Sequence, residues 1–135
     1  QSVSVSGAVV VTTPQDIALL DAKKGIAMFN KVGIHTLGVV ENMSMHVCSN
    51  CGHREAIFGE NGGAALADAY HTSLLGQLPL TLSIRENADS GLPSVAKDPT
   101  SAESSEYFGV AQKLTLALWA RLQQDSEFEF SESDD

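Results

Sequence analysis

The stretch "AVVVTTPQDIALLDAKKGIAMFNKVGIHTLGVVEN" (residues 8–42) decides the fold class of this chain. It begins with a short run of apolar, mostly β-branched residues, 8–12, which is typical of a strand buried on both faces. Pro14 ends that strand, and an apolar pattern with helical period follows as far as Gly33. A second strand is predicted over 35–42. The unit is therefore β-α-β, for which a right-handed crossover between parallel strands is the rule.

The same alternation continues along the chain. A helix is predicted to begin at Asn61 or Gly62, a third strand covers 72–80 and ends at Pro79, and a long amphipathic helix covers 101–124. Strands that alternate with helices indicate an α/β fold with a parallel sheet. Three strands are few for a doubly wound sheet, so we expect the chain to represent the C-terminal half of one.

The apolar faces of the two long helices predict which of their side chains pack on the sheet. On the first helix, helical spacing selects Ile17, Leu20, Ile26 and Phe29. On the last helix the predicted stripe contains Phe108, Ala111, Leu114, Leu118 and Leu122.

Composition restricts the classes of function. The chain has 135 residues, enough for one domain, and a formal net charge of -9, which argues against nucleic acid because phosphates are bound by clustered Lys and Arg. No apolar stretch approaches the roughly 20 residues that span a bilayer, so no membrane partner is expected. Two cysteines cannot build a disulfide framework, which indicates a reducing, cytoplasmic setting.

The end of the chain has a composition of its own. The segment "DSEFEFSESDD" (125–135) carries acidic residues and no basic one. Such a segment is typical of a solvated, disordered tail. We therefore predict one folded portion over 1–124 and an acidic tail over 125–135.

Both cysteines lie in "MHVCSNCGH" (45–53), within a loop predicted over 43–60 that is rich in Ser, Asn, Gly and His. A C-x-x-C turn can bring both sulfur atoms to one metal ion. Zinc bound by both cysteines and both histidines is one interpretation, although the spacing is cramped, and two free thiols in a loop is another. A redox pair is disfavoured because little helix signal follows the motif. The residues concerned are Cys48, Cys51, His46 and His53.

Four stretches make a family resemblance specific: "VVVTTPQDIALLDAKKGIAMFNKV", "LGVVENMSMHVCSNCGH", "IFGENGGAALADAYHTSLLGQLPL" and "IRENADSGLPSV". Together they resemble the C-terminal half of the Mrp/ApbC family, the cytoplasmic P-loop ATPases of the MinD-like branch that carry iron–sulfur clusters. The resemblance runs from about residue 8 to residue 120.

The resemblance also shows what this sequence does not contain. Family members have a Gly-rich phosphate loop, whose backbone N–H groups and lysine bind the phosphates of ATP together with Mg²⁺. No G-x-x-x-x-G-K-[ST] pattern occurs here. We therefore expect ATP and Mg²⁺ to belong to the intact protein, and we expect this chain alone not to hydrolyse ATP.

For the cysteines, the resemblance implies that Cys48 and Cys51 of two subunits together hold a bridging [4Fe–4S] cluster, with zinc as a substitute. The implied partners are a second copy of the chain, joined through the cysteine loop, and the apo iron–sulfur proteins that accept the cluster. His46 and His53 are then neighbours of the cluster rather than ligands. A ParA- or MinD-like partitioning ATPase is an alternative, but those relatives lack the cysteine pair.

A second site is expected at "ENM" (41–43), because ligands of parallel α/β sheets bind at the carboxyl ends of strands. The resemblance implies that Asn42 pairs with the adenine of ATP and that Pro79 and Leu80 cover the adenine face. From the residues alone, Asn42 would cap a turn and Pro79 would end a strand.

Overall fold

The computed structural model describes residues 3–132, and the side chains of residues 3–124 within that range. This part of the chain forms five strands and five helices: β1 Ala8–Thr12, α1 Asp16–Lys31, β2 Thr36–Glu41, β3 His46–Val47, β4 Arg54–Glu55, α2 Gly62–Ala69, β5 Leu74–Gln77, α3 Leu82–Asp89, α4 Ser94–Lys97 and α5 Ala102–Glu132. The strands and helices predicted from the sequence are all present.

A three-stranded parallel sheet in the order β1-β2-β5 forms the centre of the fold. Strand β2 lies between its neighbours and is buried along its whole length. Its third residue is Gly38, where a Cβ atom would come within 2.5 Å of Leu75 Cγ and 2.8 Å of the Ser73 carbonyl oxygen. The predicted α/β fold with a parallel sheet is therefore confirmed.

Helices cover both faces of this sheet. On one face, α1 and α2 pack against β1 and β2 through a cluster formed by Val10, Ala22, Ile26, Val39, Leu66 and Ala67. On the other face, α5 packs against Val40, Leu75 and Leu78. A sheet covered on both sides explains why its strands read as continuous apolar runs rather than alternating ones.

The predicted apolar faces of the long helices are only partly correct. Ile26 of α1 is buried, but Ile17 and Leu20 are 74% and 56% exposed, because the helix turns Ala22 rather than these two toward the sheet. On α5 the packing side chains are Tyr107, Val110 and Leu114, and Phe108 is exposed. The spacing of apolar residues predicts the helix, but which of its side chains are buried depends on how the helix packs on the sheet.

The C-terminal helix extends further than the sequence predicts. Ser101 accepts a hydrogen bond from the Ser104 backbone N–H at 3.2 Å and so caps the helix. No proline interrupts the segment that follows, and the backbone is helical as far as Glu132. Residues 125–132 of the predicted tail have a helical backbone, its last three residues lie outside the described part, and the disorder predicted for this tail stays a prediction. The boundary at residue 124 stays a prediction.

Candidate metal centre

The two cysteines lie on the tight turn of a small hairpin that projects from the sheet. Strands β3 and β4 pair antiparallel, with His46 opposite Glu55. Beyond them the Cys48 backbone N–H donates to the His53 carbonyl oxygen at 2.9 Å, and the Gly52 N–H donates to the Cys48 carbonyl oxygen at 2.9 Å. Gly52 has φ +72, which only glycine adopts without strain. The sequence predicted a loop here but not this hairpin.

The turn directs hydrogen-bond donors at one of the two sulfur atoms. Donation from the backbone N–H of Cys51, and then from that of Asn50 and from the Cys51 thiol, lowers the pKa of the Cys48 thiol, while partial burial opposes the shift. Hydrogen bonds to a sulfur atom favour its charged form. Because the thiolate is the form that binds metals, the turn is suited to act as a ligand pair.

The described part of the chain offers two thiols as candidate metal ligands. Cys48 is half-buried, Cys51 is exposed, and both are free. Among the described side chains, no group of three or more His, Cys, Asp or Glu residues is arranged to hold a metal ion. His46 and His53 therefore do not complete a four-ligand site with the cysteines in this arrangement. The hairpin therefore presents two thiols, which is half the number of ligands that a tetrahedral metal site needs.

Asn42 lies at the carboxyl edge of the sheet. Its backbone N–H donates to the Thr12 carbonyl oxygen at 2.7 Å, and its side-chain Oδ1 accepts from the Met43 N–H at 2.9 Å. The residue borders a groove of about 590 Å³ along the open side of β1, which Thr12 and Thr13 also line. The N–H₂ group of the same amide takes no part in this backbone contact.

Pro79 and Leu80 follow β5, the strand that lies across β2 from β1. Pro79 lines a cavity of about 680 Å³ between the cysteine hairpin, β5 and the start of α5. Asn42 does not line that cavity, and Pro79 does not line the groove beside Asn42. The structure therefore places the residues predicted for adenine at one edge of the sheet but not around one cavity, and their shared role stays a prediction.

The segment around Leu80 is bonded to the cysteine hairpin. The Leu80 N–H donates to the Met45 carbonyl oxygen at 2.9 Å, and the Val47 N–H donates to the Leu80 carbonyl oxygen at 3.1 Å. Two residues before Leu80, the Leu78 carbonyl oxygen accepts a hydrogen bond from the Ser44 N–H at 3.0 Å. The chain from β2 to the hairpin thus runs beside the chain that follows β5.

Sequence reasoning missed a buried acid at the base of this region. Glu41 ends β2, is 0% exposed, and its carboxylate accepts hydrogen bonds from Ser44 Oγ at 2.8 Å, Gln77 Nε2 at 2.8 Å and the Gly63 N–H at 2.6 Å. The signal available in the sequence was an acid that directly follows "TLGVV", a run otherwise composed for full burial.

None of the described helices is long and apolar enough to cross a membrane.

Comparison with known proteins gives consistent matches. Residues 1–115 match the family described as ParA, NUBPL iron-transfer P-loop NTPase. An iron-sulfur cluster carrier protein of Salmonella typhimurium is 57% identical over 119 residues, which cover 88% of this chain. The matched region is 32% of that protein, so the chain spans about a third of the relative's length.

Two solved structures share the fold. The nucleotide-binding protein of Archaeoglobus fulgidus in complex with ADP superposes with a TM-score of 0.59 and 30% identity, over 76% of this chain and 40% of that one. The cell division ATPase MinD of Pyrococcus furiosus superposes with a TM-score of 0.63 and 25% identity, over 82% of this chain and 42% of that one. In both cases the similarity extends over less than half of the larger protein.

Proposed function

Because the chain belongs to the NUBPL-type iron-transfer P-loop NTPase family, we propose that it is the cluster-binding portion of an iron–sulfur cluster carrier. The cargo is an iron–sulfur cluster that the thiolates of the cysteine hairpin bind and later release to acceptor proteins. Similarity to proteins named as iron–sulfur cluster carriers and transfer proteins supports this proposal over a partitioning ATPase.

The observation that carries the proposal is the geometry of the Cys48–Cys51 turn. Its backbone N–H groups lower the pKa of the Cys48 thiol, and the hairpin holds the exposed Cys51 beside it. Thiolates are the ligands that iron–sulfur clusters use. The exposure of Cys51 also suits a carrier, since the acceptor's own thiols must reach the cluster in order to displace the two cysteines.

We further propose that the other two ligands are Cys48 and Cys51 of a second copy. A two-fold axis through the cluster duplicates every ligand, so a half-site of two thiolates becomes a Cys₄ site for a bridging [4Fe–4S] cluster. Zinc fits the same four sulfur atoms and would substitute when iron is scarce. The proposal rests on the finding that one described chain provides no third ligand beside the pair.

For the longer protein, we propose that ATP with Mg²⁺ controls loading and release. Asn42 would bind the adenine, with Pro79 and Leu80 on the neighbouring segment, at the edge where parallel sheets bind ligands. This chain contains no phosphate loop, so we propose that it does not hydrolyse ATP by itself. Cytoplasmic location and apo iron–sulfur proteins as partners belong to the same proposal.

Anaerobic reconstitution with ferrous iron and sulfide tests the cluster proposal. The chain should develop the sulfide-to-iron charge-transfer absorption with about four irons per two chains, the stoichiometry of one shared [4Fe–4S] cluster. The double variant Cys48→Ala/Cys51→Ala should show neither. Persistence of the absorption in that variant, or its absence from the unmodified chain, contradicts the proposal.

A further inference from the structure

Glu41 closes the base of the cysteine loop (43–60). Ser44 lies in the first turn of that loop, and Gly63 lies just beyond its end, in the first turn of α2. Both donate hydrogen bonds to the same carboxylate, Ser44 to Oε1 and Gly63 to Oε2. One side chain from the central strand therefore holds the two ends of the loop together.

A third donor ties the same carboxylate to the sheet. Gln77, at the end of β5, donates from Nε2 to Oε1 at 2.8 Å, and Gln77 is also the residue that pairs with Glu41 across the two strands. The Glu41 carbonyl oxygen accepts from the Leu78 N–H at 2.8 Å. Because β5 leads directly to the segment bonded to the hairpin, Glu41 fixes the loop base relative to both strands that support it.

The start of α2 is built around this contact. Its N-cap residue, Asn61, has a left-handed backbone and makes no side-chain capping bond, so the first N–H groups of the helix need another acceptor. The Glu41 carboxylate supplies one. A Cβ atom on Gly63 would come within 2.8 Å of Glu41 Cβ and 3.0 Å of Glu41 Oε2, so the close approach requires glycine at this position.

Burial alone does not explain an acid at this position. A carboxylate withdrawn from water destabilises the fold unless donors surround it, and apolar residues of similar size generally pack in such places at least as well. An apolar residue, however, accepts no hydrogen bonds, so it could not orient the loop start, the start of α2 and the end of β5 relative to one another. Directional contacts therefore point to a geometric role.

We propose that Glu41 is a positioning residue for metal binding: it fixes the base of the cysteine loop so that Cys48 and Cys51 are presented in one orientation. This inference rests on the proposed cluster-binding function, and it adds a residue that touches neither the metal nor its ligands. Loss of the carboxylate would leave the hairpin intact but free to change its angle to the sheet. The cysteine pairs of two copies would then less often be aligned to bind one shared metal centre.

Cobalt(II) titration of the full chain tests the proposal, with thiolate-to-cobalt charge transfer as the readout. Glu41→Ala should weaken Co²⁺ binding about tenfold, the lower end of the effect of removing groups that orient metal ligands. Glu41→Gln should recover part of the affinity, because the new carbonyl oxygen can accept from Gly63 while the Ser44 hydroxyl and the Gln77 amide turn to face the new amide.

Two control variants separate positioning from general stability. Val39→Ala removes buried atoms from the same strand without touching the loop base, and it should lower the melting temperature but leave Co²⁺ affinity within about twofold, a change below 0.5 kcal/mol. Ser44→Ala removes only the contact from the loop side and should weaken Co²⁺ binding. The matched control is Ser104→Ala, which alters another buried serine, on α5, and should leave Co²⁺ binding unchanged.

Hydrogen–deuterium exchange of the metal-free chain gives an independent answer. In Glu41→Ala and Ser44→Ala, peptides within 42–62 should exchange faster, while peptides of β1 should not. If Co²⁺ affinity and loop exchange merely follow the melting temperature across all variants, the positioning role is wrong. If the unmodified chain binds no Co²⁺, the cluster-binding function fails, and loop exchange alone then decides whether Glu41 holds the loop.

Discussion

The backbone N–H of Val47 donates to the carbonyl oxygen of Leu80 at 3.1 Å, which joins the cysteine hairpin to the segment that follows β5. Leu80 returns a hydrogen bond to Met45 at 2.9 Å. Val47 directly precedes Cys48, so the first cysteine lies one residue beyond a fixed backbone contact. The position of the hairpin therefore depends on the sheet and not only on its own turn.

Replacing Leu80 with proline should displace the hairpin. Proline has no N–H to donate to Met45, so one of the two backbone contacts at this position is lost. We expect the Leu80→Pro variant to bind Co²⁺ several-fold more weakly and to show faster exchange in peptides that contain Val47. Leu82→Pro is the matched control, because Leu82 is the first residue of α3 and proline is tolerated there. Equal Co²⁺ affinity in the two variants would contradict this role of Leu80.

The Cys48 thiol should react with an alkylating agent at lower pH than an ordinary thiol does. Hydrogen bonds from Cys51 and Asn50 lower the pKa of Cys48 below the ordinary thiol value, so its thiolate forms at lower pH. In metal-free protein, the pH profile for iodoacetamide alkylation of Cys48, followed by peptide mass spectrometry, should therefore lie at lower pH than that of a cysteine in unfolded chain. In urea the shift should vanish. A Cys48 profile that is the same in folded and unfolded protein would refute the described turn.

The sequence was sufficient for the sheet and for the place of the cysteines. Strands β1 and β2 are continuous apolar runs, and the pattern between them has helical period, so few topologies were compatible with this unit. The orientation of α1 was less accessible. Ile17 and Leu20 fit the apolar face as well as Ile26 does, and only the packing of the folded chain shows that these two remain exposed.

The hairpin and the contacts of Glu41 could not be predicted from the sequence, for a different reason. Strands β3 and β4 have two residues each, which is too short for any periodic pattern. The contact between Glu41 and Gly63 joins residues that are far apart along the chain, and local spacing cannot predict such a pair. Fold class follows from local patterns here, whereas the geometry of the site follows from contacts made only after folding.

Two glycine-to-alanine variants should change stability in opposite directions. At Gly38 a new Cβ atom would meet the Ser73 carbonyl oxygen at 2.8 Å, and this backbone atom cannot move aside as a flexible side chain could. We expect Gly38→Ala to lower the free energy of unfolding by about 1–3 kcal/mol, as overpacking generally does. At Gly25, inside α1, nothing lies within 4 Å, so Gly25→Ala should raise it by about 0.4–1 kcal/mol. Urea unfolding followed by circular dichroism measures both, and an increase for Gly38→Ala would contradict the described packing of β2.

The histidines that flank the hairpin distinguish a shared cluster from a zinc site within one chain. A zinc module would use His46 and His53 together with both cysteines, so the double variant His46→Ala/His53→Ala would lose metal and remain a monomer with or without it. A shared Cys₄ site predicts the opposite. The histidine variant should keep its cluster absorption and its metal-dependent dimer, because the described side chains do not group the histidines with the cysteines. Sedimentation of the reconstituted and metal-free forms measures the dimer, with Cys48→Ala/Cys51→Ala as the variant that should stay monomeric under both conditions. Loss of metal in the histidine variant would favour the zinc module and overturn the shared cluster.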